Sequence, residues 1–483
     1  MRMLVFPYGH DCEPIIRHSN LLDQGCRIVA LISPGGWGLA GKSIKLGNSE
    51  ISLTVRESLQ EVTEEFDTLY IPAFDVVEKV ENRLVNQMVK LIPHLMHVYC
   101  AARLTNTNLN KLEDTCRQVS PICTFENLSE QKTPEAYDLS MPTENYPSLH
   151  PLDVPVVIVA GLWEKTDKFE ISLALRERLL KNGYRVTQIG SRDGCEMLGF
   201  HSFPGFMFRK DVDAADKVIH FNRWIIQVAE REQPDLLLLT IPGAVQDFNE
   251  QFTRGFGLLH HQVFKAVAPD VLIMCMFFSF DPKEFLKEIS ESCRYRFGTP
   301  IDVFHISNLF IDITSSEEVN RVVTINVYRE IVSEMLSKRS AASPIPMFNA
   351  LEPADCDRMF DVIIKKLIPK DVQAVFLNSF NRGDVRLMVE EQNMIVAPEE
   401  VRKEIENLLN TKFHFPKDFA TKSKDYPFFG LHGLLCPRRM TYLTYMPERQ
   451  YGIRFSMEEY DDTMFYSLDG LSEIVARLVN SRA

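Results

Sequence analysis

The sequence predicts an α/β fold: two Rossmann-like, doubly wound parallel-sheet domains followed by a smaller α+β domain. Two observations lead to this prediction. Short, strongly apolar runs alternate with stretches of helical periodicity, and strands that alternate with helices assemble into parallel sheets. Two proline-bearing stretches without periodicity divide the chain. The expected domains are therefore 1–130, 155–337 and 354–483, with linkers at 131–154 and 338–353.

The first domain is predicted from three short apolar runs and the helical patterns that follow them. The helix expected at 93–104 is predicted to be buried because its sequence is largely apolar. Strands are expected at 2–6, 27–32 and 68–71, and the other helices at 14–23 and 76–91.

The second domain shows the clearest alternation of strands and helices. Residues 156–160 are all apolar, a loop begins at Gly161, and a dense apolar pattern predicts a helix over 168–181. Four consecutive leucines at 236–239 suit a strand that is buried on both faces of a parallel sheet. Further strands are expected at 185–189, 235–240, 271–277, 301–306 and 322–325, with a helix at 218–232.

The C-terminal domain contains patterns of both types. A long stretch at 412–439, rich in Phe, Lys, Gly and Pro, is expected to be irregular. Helices are predicted at 355–367, 398–409 and 468–479, and strands at 374–377, 440–445 and 451–455.

Composition excludes several classes of function. The formal net charge of −13 would repel a polyanion, so a general nucleic-acid binder is not expected. No apolar run reaches the roughly 18–20 residues that span a bilayer, so no membrane partner is expected. The 10 cysteines form no CxxC pair and the 12 histidines no HExxH motif, so no metal site is predicted. A cytoplasmic location fits scattered, unpaired cysteines.

A first glycine-rich segment matches the phosphate-loop pattern in its residues but not in the secondary structure predicted after it. Residues 36–43 read Gly-Trp-Gly-Leu-Ala-Gly-Lys-Ser, the GxxxxGK[ST] pattern that cradles phosphate when a helix follows. The residues after it include Gly47 and alternate as a strand does. The segment is therefore expected to be a structural turn or a contact surface that presents Trp37, and a true phosphate site is the less favoured alternative.

A second segment lies between a predicted strand and a predicted helix, as a phosphate loop does, but its residues match the phosphate-loop pattern less closely. A loop from Gly161 joins a buried strand to a long helix, and Lys168 lies near the position of a phosphate-binding lysine. The loop has one glycine and one residue too many, and Glu164 would repel phosphate. Two interpretations stay open: Thr166 or Asp167 caps the helix, or the loop is a modified ATP or GTP site with magnesium.

A third segment lies at the end of the predicted strand 235–240. Residues 240–243 read Thr-Ile-Pro-Gly and resemble the Asp-x-Pro-Gly switch of signal-recognition-type NTPases, with Thr240 in place of the aspartate that would position magnesium. Open α/β sheets bind ligands at the carboxyl ends of their strands. Thr240 and Gly243 therefore join Gly161, Thr166, Asp167 and Lys168 as candidate cofactor-binding residues, whereas no catalytic residue is identified.

An aromatic run at 199–208 contains four phenylalanines in a turn-rich sequence. Aromatic side chains on a loop suit recognition of a peptide, but they equally suit a buried flap over the sheet. The sequence leaves both interpretations open.

The middle domain resembles a cobalamin-binding Rossmann-like unit. The shared features are the strand–loop–helix succession, the Gly183-Tyr184-Arg-Val pattern and Asp235 before the leucine strand. The axial histidine of that family is missing, because the loop reads Lys-Thr-Asp-Lys at 165–168. Corrinoid binding is therefore a second alternative function.

The chain also resembles clostridial peptide-maturation-system proteins, which are encoded beside radical-SAM enzymes and short precursor peptides. The likeness rests on strings spread over both α/β segments: Phe-Pro-Tyr at 6–8, Ser-Pro-Gly-Gly-Trp-Gly-Leu-Ala-Gly-Lys at 33–42, Lys-Phe at 168–169 with Leu-Ala-Leu-Arg at 173–176, Gly-Tyr at 183–184, Ile-Gly-Ser-Arg at 189–192, and Gly-Phe-His-Ser-Phe-Pro at 199–204.

This resemblance implies a pathway rather than a reaction. It implies an accessory protein in the maturation of a ribosomally synthesised peptide (RiPP biosynthesis), with the precursor peptide or a radical-SAM modifying enzyme as partner. The alternative is an ATP- or GTP-dependent enzyme, an NTPase or a ligase, that uses a non-standard phosphate loop.

Overall fold

The structure is a computed structural model that describes most of the two α/β segments and short parts of the C-terminal segment. It forms two compact units, 1–150 with 154–373 and 151–153 with 374–483. The described residues are 1–22, 25–47, 51–119, 123–129, 139, 149–279, 283–319, 322–340, 343–367, 397–412, 447, 451, 453, 455 and 467–481.

The first sheet has seven strands in the order β3-β4-β2-β1-β5-β6-β7. All neighbours are parallel except β3 and β4, which pair as an antiparallel hairpin. The strands are β1 (Arg2–Val5), β2 (Arg27–Ile32), β3 (Ser43–Lys45), β4 (Ser52–Arg56), β5 (Thr68–Ile71), β6 (His97–Cys100) and β7 (Thr124–Asn127), and the helices are α1 (Glu13–Arg17), α2 (Glu78–Val89) and α3 (Asn106–Val119).

The second sheet has six parallel strands in the order β15-β12-β11-β8-β10-β9. The strands of this half are β8 (Val156–Gly161), β9 (Val186–Ile189), β10 (Leu236–Thr240), β11 (Val271–Met276), β12 (Val303–Ile306), β13 (Leu309–Ile311), β14 (Thr324–Asn326) and β15 (Met347–Phe348). The helices are α4 (Lys168–Lys181), α5 (Ala214–Glu232), α6 (Leu258–Ala266), α7 (Lys283–Phe297), α8 (Ile313–Val319), α9 (Arg329–Ser340) and α10 (Pro353–Leu367). The predicted α/β fold with two largely parallel sheets is thus confirmed.

The two sheets share a core, so they form one unit rather than two. Helix α4 is buried around most of its circumference, and its apolar residues lie on more than one side. Phe169 and Leu173 pack into the core of the first sheet, whereas Ile171 and Leu175 pack into that of the second. A polar contact also links the two sheets' helical layers, since His18 Nδ1, just after α1, lies 2.8 Å from Glu177 Oε1 of α4.

The segment predicted as the second linker contains the edge strand of the second sheet. Strand β15 pairs with β12 through Met347 and Phe348. Helix α10 then packs its buried residues Cys356, Met359 and Ile363 into the same core as β8 and β11. The second α/β layer therefore extends past residue 353, because the chain returns to the sheet after its prolines.

One predicted helix is wrong, the predicted strand 322–325 lies in a separate hairpin (β13–β14) rather than in the sheet, and one open alternative is settled. The buried helix expected at 93–104 is a short helical turn followed by strand β6, which lies between β5 and β7. In the aromatic run, Phe200, Phe203 and Phe206 are buried, and only Phe208 is 40% exposed. The run is therefore a buried segment that pairs with the end of β9 and packs Phe203 and Phe206 against α5.

The second unit is described mainly through two helices. Helix α11 (Pro398–Lys412) packs Val401, Ile405 and Leu409 against helix α12 (Leu468–Asn480), and both helices confirm the sequence prediction. The predicted strands 374–377 and 440–445 lie outside the described residues, as do most of 451–455 and nearly all of the irregular stretch 412–439. Across the described ranges, no helix combines the length and the apolar character that crossing a bilayer requires.

Candidate functional site

The predicted site residues meet at the carboxyl edge of the second sheet. Strand β8 ends at Gly161 and its parallel neighbour β10 ends at Thr240, which lies opposite Val159 in the register. The loop after β10 folds over the loop after β8, since Val245 N donates to Gly161 O at 2.9 Å. Consequently, two sequence segments about eighty residues apart form one site at the place where open α/β sheets bind ligands.

The loop that joins β8 to α4 has an unusual backbone. Lys165 and Asp167 have positive φ angles of 59° and 61°, a conformation that side-chain-bearing residues rarely adopt. Gly161 permits the tight curl, because a Cβ there would lie 2.5 Å from Trp163 O and 2.7 Å from Thr166 Oγ1. A phosphate-loop-like curve is therefore present without the glycines that usually provide it.

Side-chain capping of α4, the simpler of the two interpretations, is wrong. Asp167 stands at the N-cap position, but no side chain caps the helix. Thr166 Oγ1 instead donates to Trp163 O at 3.0 Å, within the loop itself. The left-handed conformation of Asp167 differs from the extended conformation that capping residues normally adopt.

Lys168 is buried and its ammonium group is used within the protein. Its Nζ donates to the carbonyl of Gly243, and the side chain is 9% exposed. Burial lowers the pKa of Lys168 to about 8. The cation that would contact phosphate in a working phosphate loop instead joins the β8 and β10 loops.

Asp167 directs a carboxylate toward the end of β12. Its Oδ2 accepts a hydrogen bond from the Ser307 hydroxyl and lies 3.8 Å from His305 Nε2. His305 is fully buried, and its Nδ1 accepts from Ala350 N at 3.1 Å. A negative charge at the N-terminus of α4 is favourable for the helix but competes with any bound anion.

The groups that hold magnesium in NTPases have no equivalent here. The residue after Lys168 is Phe169 rather than a serine or threonine, and the Arg192 guanidinium lies over its ring at 4.6 Å from the centroid. Thr240 occupies the strand end where a magnesium-orienting aspartate would stand. Within the described ranges, no group of three or more His, Cys, Asp or Glu side chains could hold a metal ion.

Several buried polar side chains at the site have unsatisfied atoms, among them Thr240, His260, His305 and Trp163. Thr240 Oγ1 and both ring nitrogens of His260 have no hydrogen-bond partner among the described residues, and both residues are 0% exposed. Burial lowers the pKa of His260 well below its usual range, and the charge of Lys168 lowers it further. Sequence reasoning missed His260, His305 and Ser307 because each is a single residue without a spacing pattern.

The glycine-rich segment 36–43 is a structural turn, as one of the two sequence interpretations predicts. It leads into β3, which pairs with β4, so no helix follows the motif. Trp37 packs over Gly9, where an added Cβ would lie 3.2 Å from the indole ring. Without a helix N-terminus, the segment lacks the row of free amides that binds phosphate.

The pH dependence of stability tests the burial of Lys168. The folded pKa of about 8 lies below the ordinary 10.5, so the folded protein loses this proton first as pH rises. Wild-type stability relative to the variant Lys168→Met should therefore rise by about 2 kcal/mol between pH 7 and pH 9.5, measured by urea unfolding. The matched control is Lys181→Met at the exposed end of the same helix, for which we expect no such change. Equal behaviour of the two variants would contradict the buried, charged state of Lys168.

Comparisons with known proteins bear on the fold alone. No protein-family model and no curated protein sequence matches the chain. A DUF1611 family protein from Anabaena variabilis is similar in structure, with a TM-score of 0.51 and 14% identity over 75% of this chain and 99% of that chain. Chloroplast FtsY from Physcomitrella patens (12% identity, 48% of this chain and 74% of that chain) and ATP citrate lyase from Methanothrix soehngenii (10%, 87% and 63%) have TM-scores of 0.20 and 0.23, too low to support an argument. The first likeness agrees with the α/β fold, and identity this low carries no function to this chain.

Proposed function

We propose that this protein is a binding protein without triphosphate turnover, acting as an accessory factor in the maturation of a ribosomally synthesised peptide. Its partners would be the precursor peptide, a radical-SAM modifying enzyme, or both. The observation that supports the absence of triphosphate turnover is the internal use of Lys168, whose ammonium donates to the Gly243 carbonyl. The peptide pathway itself rests on the sequence resemblance.

The chemistry of phosphoryl transfer explains why this observation argues against turnover. Catalysis of that reaction consists mainly of positioning and of charge neutralisation by a lysine and by magnesium. Here the lysine has a protein partner, Phe169 and Thr240 stand where magnesium ligands are expected, and the Asp167 carboxylate adds negative charge. A bound triphosphate would have to displace the Gly243 contact and overcome that repulsion.

Calorimetric titration with Mg-ATP and Mg-GTP tests the absence of turnover. We expect no saturable heat at concentrations up to about 1 mM, which corresponds to a binding free energy weaker than about −4 kcal/mol, and no release of phosphate. Lys168→Ala should change neither result. Micromolar binding that Lys168→Ala abolishes would contradict the proposal and favour a nucleotide-dependent enzyme.

The peptide assignment needs its own experiment. Each short open reading frame beside the gene would be synthesised as a labelled peptide and titrated against the full chain, alone and with the neighbouring modifying enzyme. Saturable binding of one such peptide is the expected result. If none binds in either arrangement, the maturation role has no support, whatever the nucleotide result.

The second candidate is an ATP- or GTP-dependent enzyme with a non-standard phosphate loop. A specific observation favours it: Thr240 and His260 carry buried, unsatisfied polar atoms at the loop edge, and such atoms normally find a partner. A ligand could supply one. The corrinoid alternative stays a prediction, and it would be recognised as a coloured protein after reconstitution with cobalamin.

A further inference from the structure

A two-stranded ribbon extends from the carboxyl edge of the second sheet. Strands β13 and β14 pair antiparallel, with Leu309 opposite Asn326 and Ile311 opposite Thr324. The ribbon begins three residues after β12, and after the ribbon the chain returns to the sheet through α9 and β15. Ile311 of the ribbon and Val322 line the same cleft as Trp163 and Ala244, so the ribbon lies near the loops that carry Gly161 and Gly243.

The hydrogen-bond alternation of the ribbon shows which backbone groups of β14 point outward. Val327 N donates to Asn308 O at 2.7 Å and Asp312 N donates to Val323 O at 2.9 Å. The backbone N–H and C=O groups of the residues between these two pairs therefore point alternately toward the partner strand and away from it. Leu309 faces away from β14, because its carbonyl accepts from Phe278 N at 2.8 Å. Its opposite residue, Asn326, therefore faces away from β13.

The outer edge of β14 is consequently open among the described residues. The backbone N–H and C=O groups of Asn326 and, two residues earlier, of Thr324 form a short row to which another strand could pair. Apolar side chains beside this row are exposed rather than covered, with Ile325 at 53%, Tyr328 at 78% and Ile331 at 44%. An exposed edge flanked by large apolar side chains is the surface that extended peptides use.

A shallow aromatic cleft continues from the ribbon to the candidate site. It is lined by Val322, two residues before β14, and by Trp163 of the loop before α4. The Trp163 ring stacks on Phe277 at 5.8 Å and meets Phe248 edge-on at 5.4 Å. The Trp163 indole nitrogen is buried and has no hydrogen-bond partner among the described residues, so an acceptor from a ligand would satisfy it.

The charge around the ribbon selects among peptides. Two basic residues of α9 are paired with carboxylates, Arg329 with Glu352 and Lys338 with Glu334. Exposed carboxylates at 317, 318 and 330 leave an excess of negative charge on α8 and at the start of α9. A basic segment is therefore favoured over an acidic one.

We propose that the open edge of β14 and the aromatic cleft together bind an extended apolar peptide segment with basic flanks. The segment adds as a strand to Thr324 and Asn326, and one of its apolar side chains packs over the shallow cleft against Trp163 and Val322. This inference rests on the proposed function, since it names the surface by which a precursor peptide would be held.

Fluorescence anisotropy with designed peptides tests this surface without knowledge of the natural ligand. The probe is a labelled peptide that alternates Val and Thr, with a central Phe and two Lys at each end. One control peptide has Pro at alternate positions and cannot form a strand, and another has Glu in place of Lys. We expect saturable binding of the probe, loss of binding with Pro, and about tenfold weaker binding with Glu at low salt.

Protein variants locate the surface with matched controls. Tyr328→Ala and Asn326→Pro should each weaken binding about tenfold, the first by loss of contact area and the second by loss of an outward N–H. Tyr295→Ala on α7 removes an equally exposed tyrosine, at 77%, and should leave binding unchanged. Trp163→Phe keeps an aromatic ring but makes it smaller and removes the indole donor, and it should weaken binding several-fold.

The inference is overturned if the proline peptide binds as well as the probe, or if Tyr328→Ala and Tyr295→Ala behave alike. It is also overturned if the protein is a dimer that Asn326→Pro dissociates, because the edge would then belong to a second copy. These outcomes leave the nucleotide titration unaffected. Failure of the surface and failure of the proposed function are thus distinguishable.

Discussion

Leu173→Ala is expected to destabilise the first unit by about 3–5 kcal/mol, near the upper end for loss of a buried leucine. Leu173 is 0% exposed and packs in the core of the first sheet, although it stands on a helix of the second. A cavity here loosens the contact of both sheets with α4. Urea unfolding followed by far-UV circular dichroism measures the effect.

A matched control on the same helix makes this prediction specific. Leu180 is 42% exposed, so Leu180→Ala removes the same atoms from a position that water already reaches. We expect a change below about 0.5 kcal/mol for this variant. If the two variants lose equal stability, α4 does not join the two sheets through Leu173.

The fold was largely predictable because most strands of the second sheet carry an unambiguous signal. The leucines of β10 and the valines of β8 are buried on both faces, and such continuous apolar runs are typical of central parallel strands. Strand β6 was mistaken for a helix because a short apolar run fits both periodicities. Strand β15 was missed because it has two residues and lies in a proline-bearing stretch.

The number of compact units was not predictable for a different reason. A helix with apolar residues on all sides signals that it is buried, but not by what. The partners of Phe169 and Leu173 lie in strands more than a hundred residues earlier, among them Met3 and Val5. Such packing depends on the docking of two sheets, which leaves no periodic trace in the sequence.

The sequence predicted which loops form the candidate site, but not the hydrogen bonds that their residues make. The strand–loop–helix pattern identified Gly161 and Lys168, and the strand end identified Thr240 and Gly243. The internal hydrogen bond of Lys168 and the left-handed conformation of Asp167 could not be read from residue types, since an aspartate before a helix normally signals a cap. Ser307, the partner of Asp167, lies 140 residues away in the sequence.

Gly257→Ala should cost at least about 3 kcal/mol, because it combines an unfavourable backbone conformation with a direct clash. Gly257 has a φ of +70°, and an added Cβ would lie 1.9 Å from Val245 O and 2.8 Å from Val245 C. Backbone atoms cannot rotate away as a side chain can. The loop after β10 must therefore move, and thermal unfolding should report the loss.

The same substitution should also weaken peptide binding, which connects the turn at Gly257 to the aromatic cleft. The cleft is lined by residues on both sides of the displaced Val245 in the sequence, namely Ala244, Gln246 and Phe248. Gly298→Ala is the control, since its φ is +81° and nothing lies within 4 Å of the added Cβ, so it should cost only about 1 kcal/mol. A folded Gly257→Ala protein that binds the designed peptide with unchanged affinity would show that the loop after β10 does not shape the cleft.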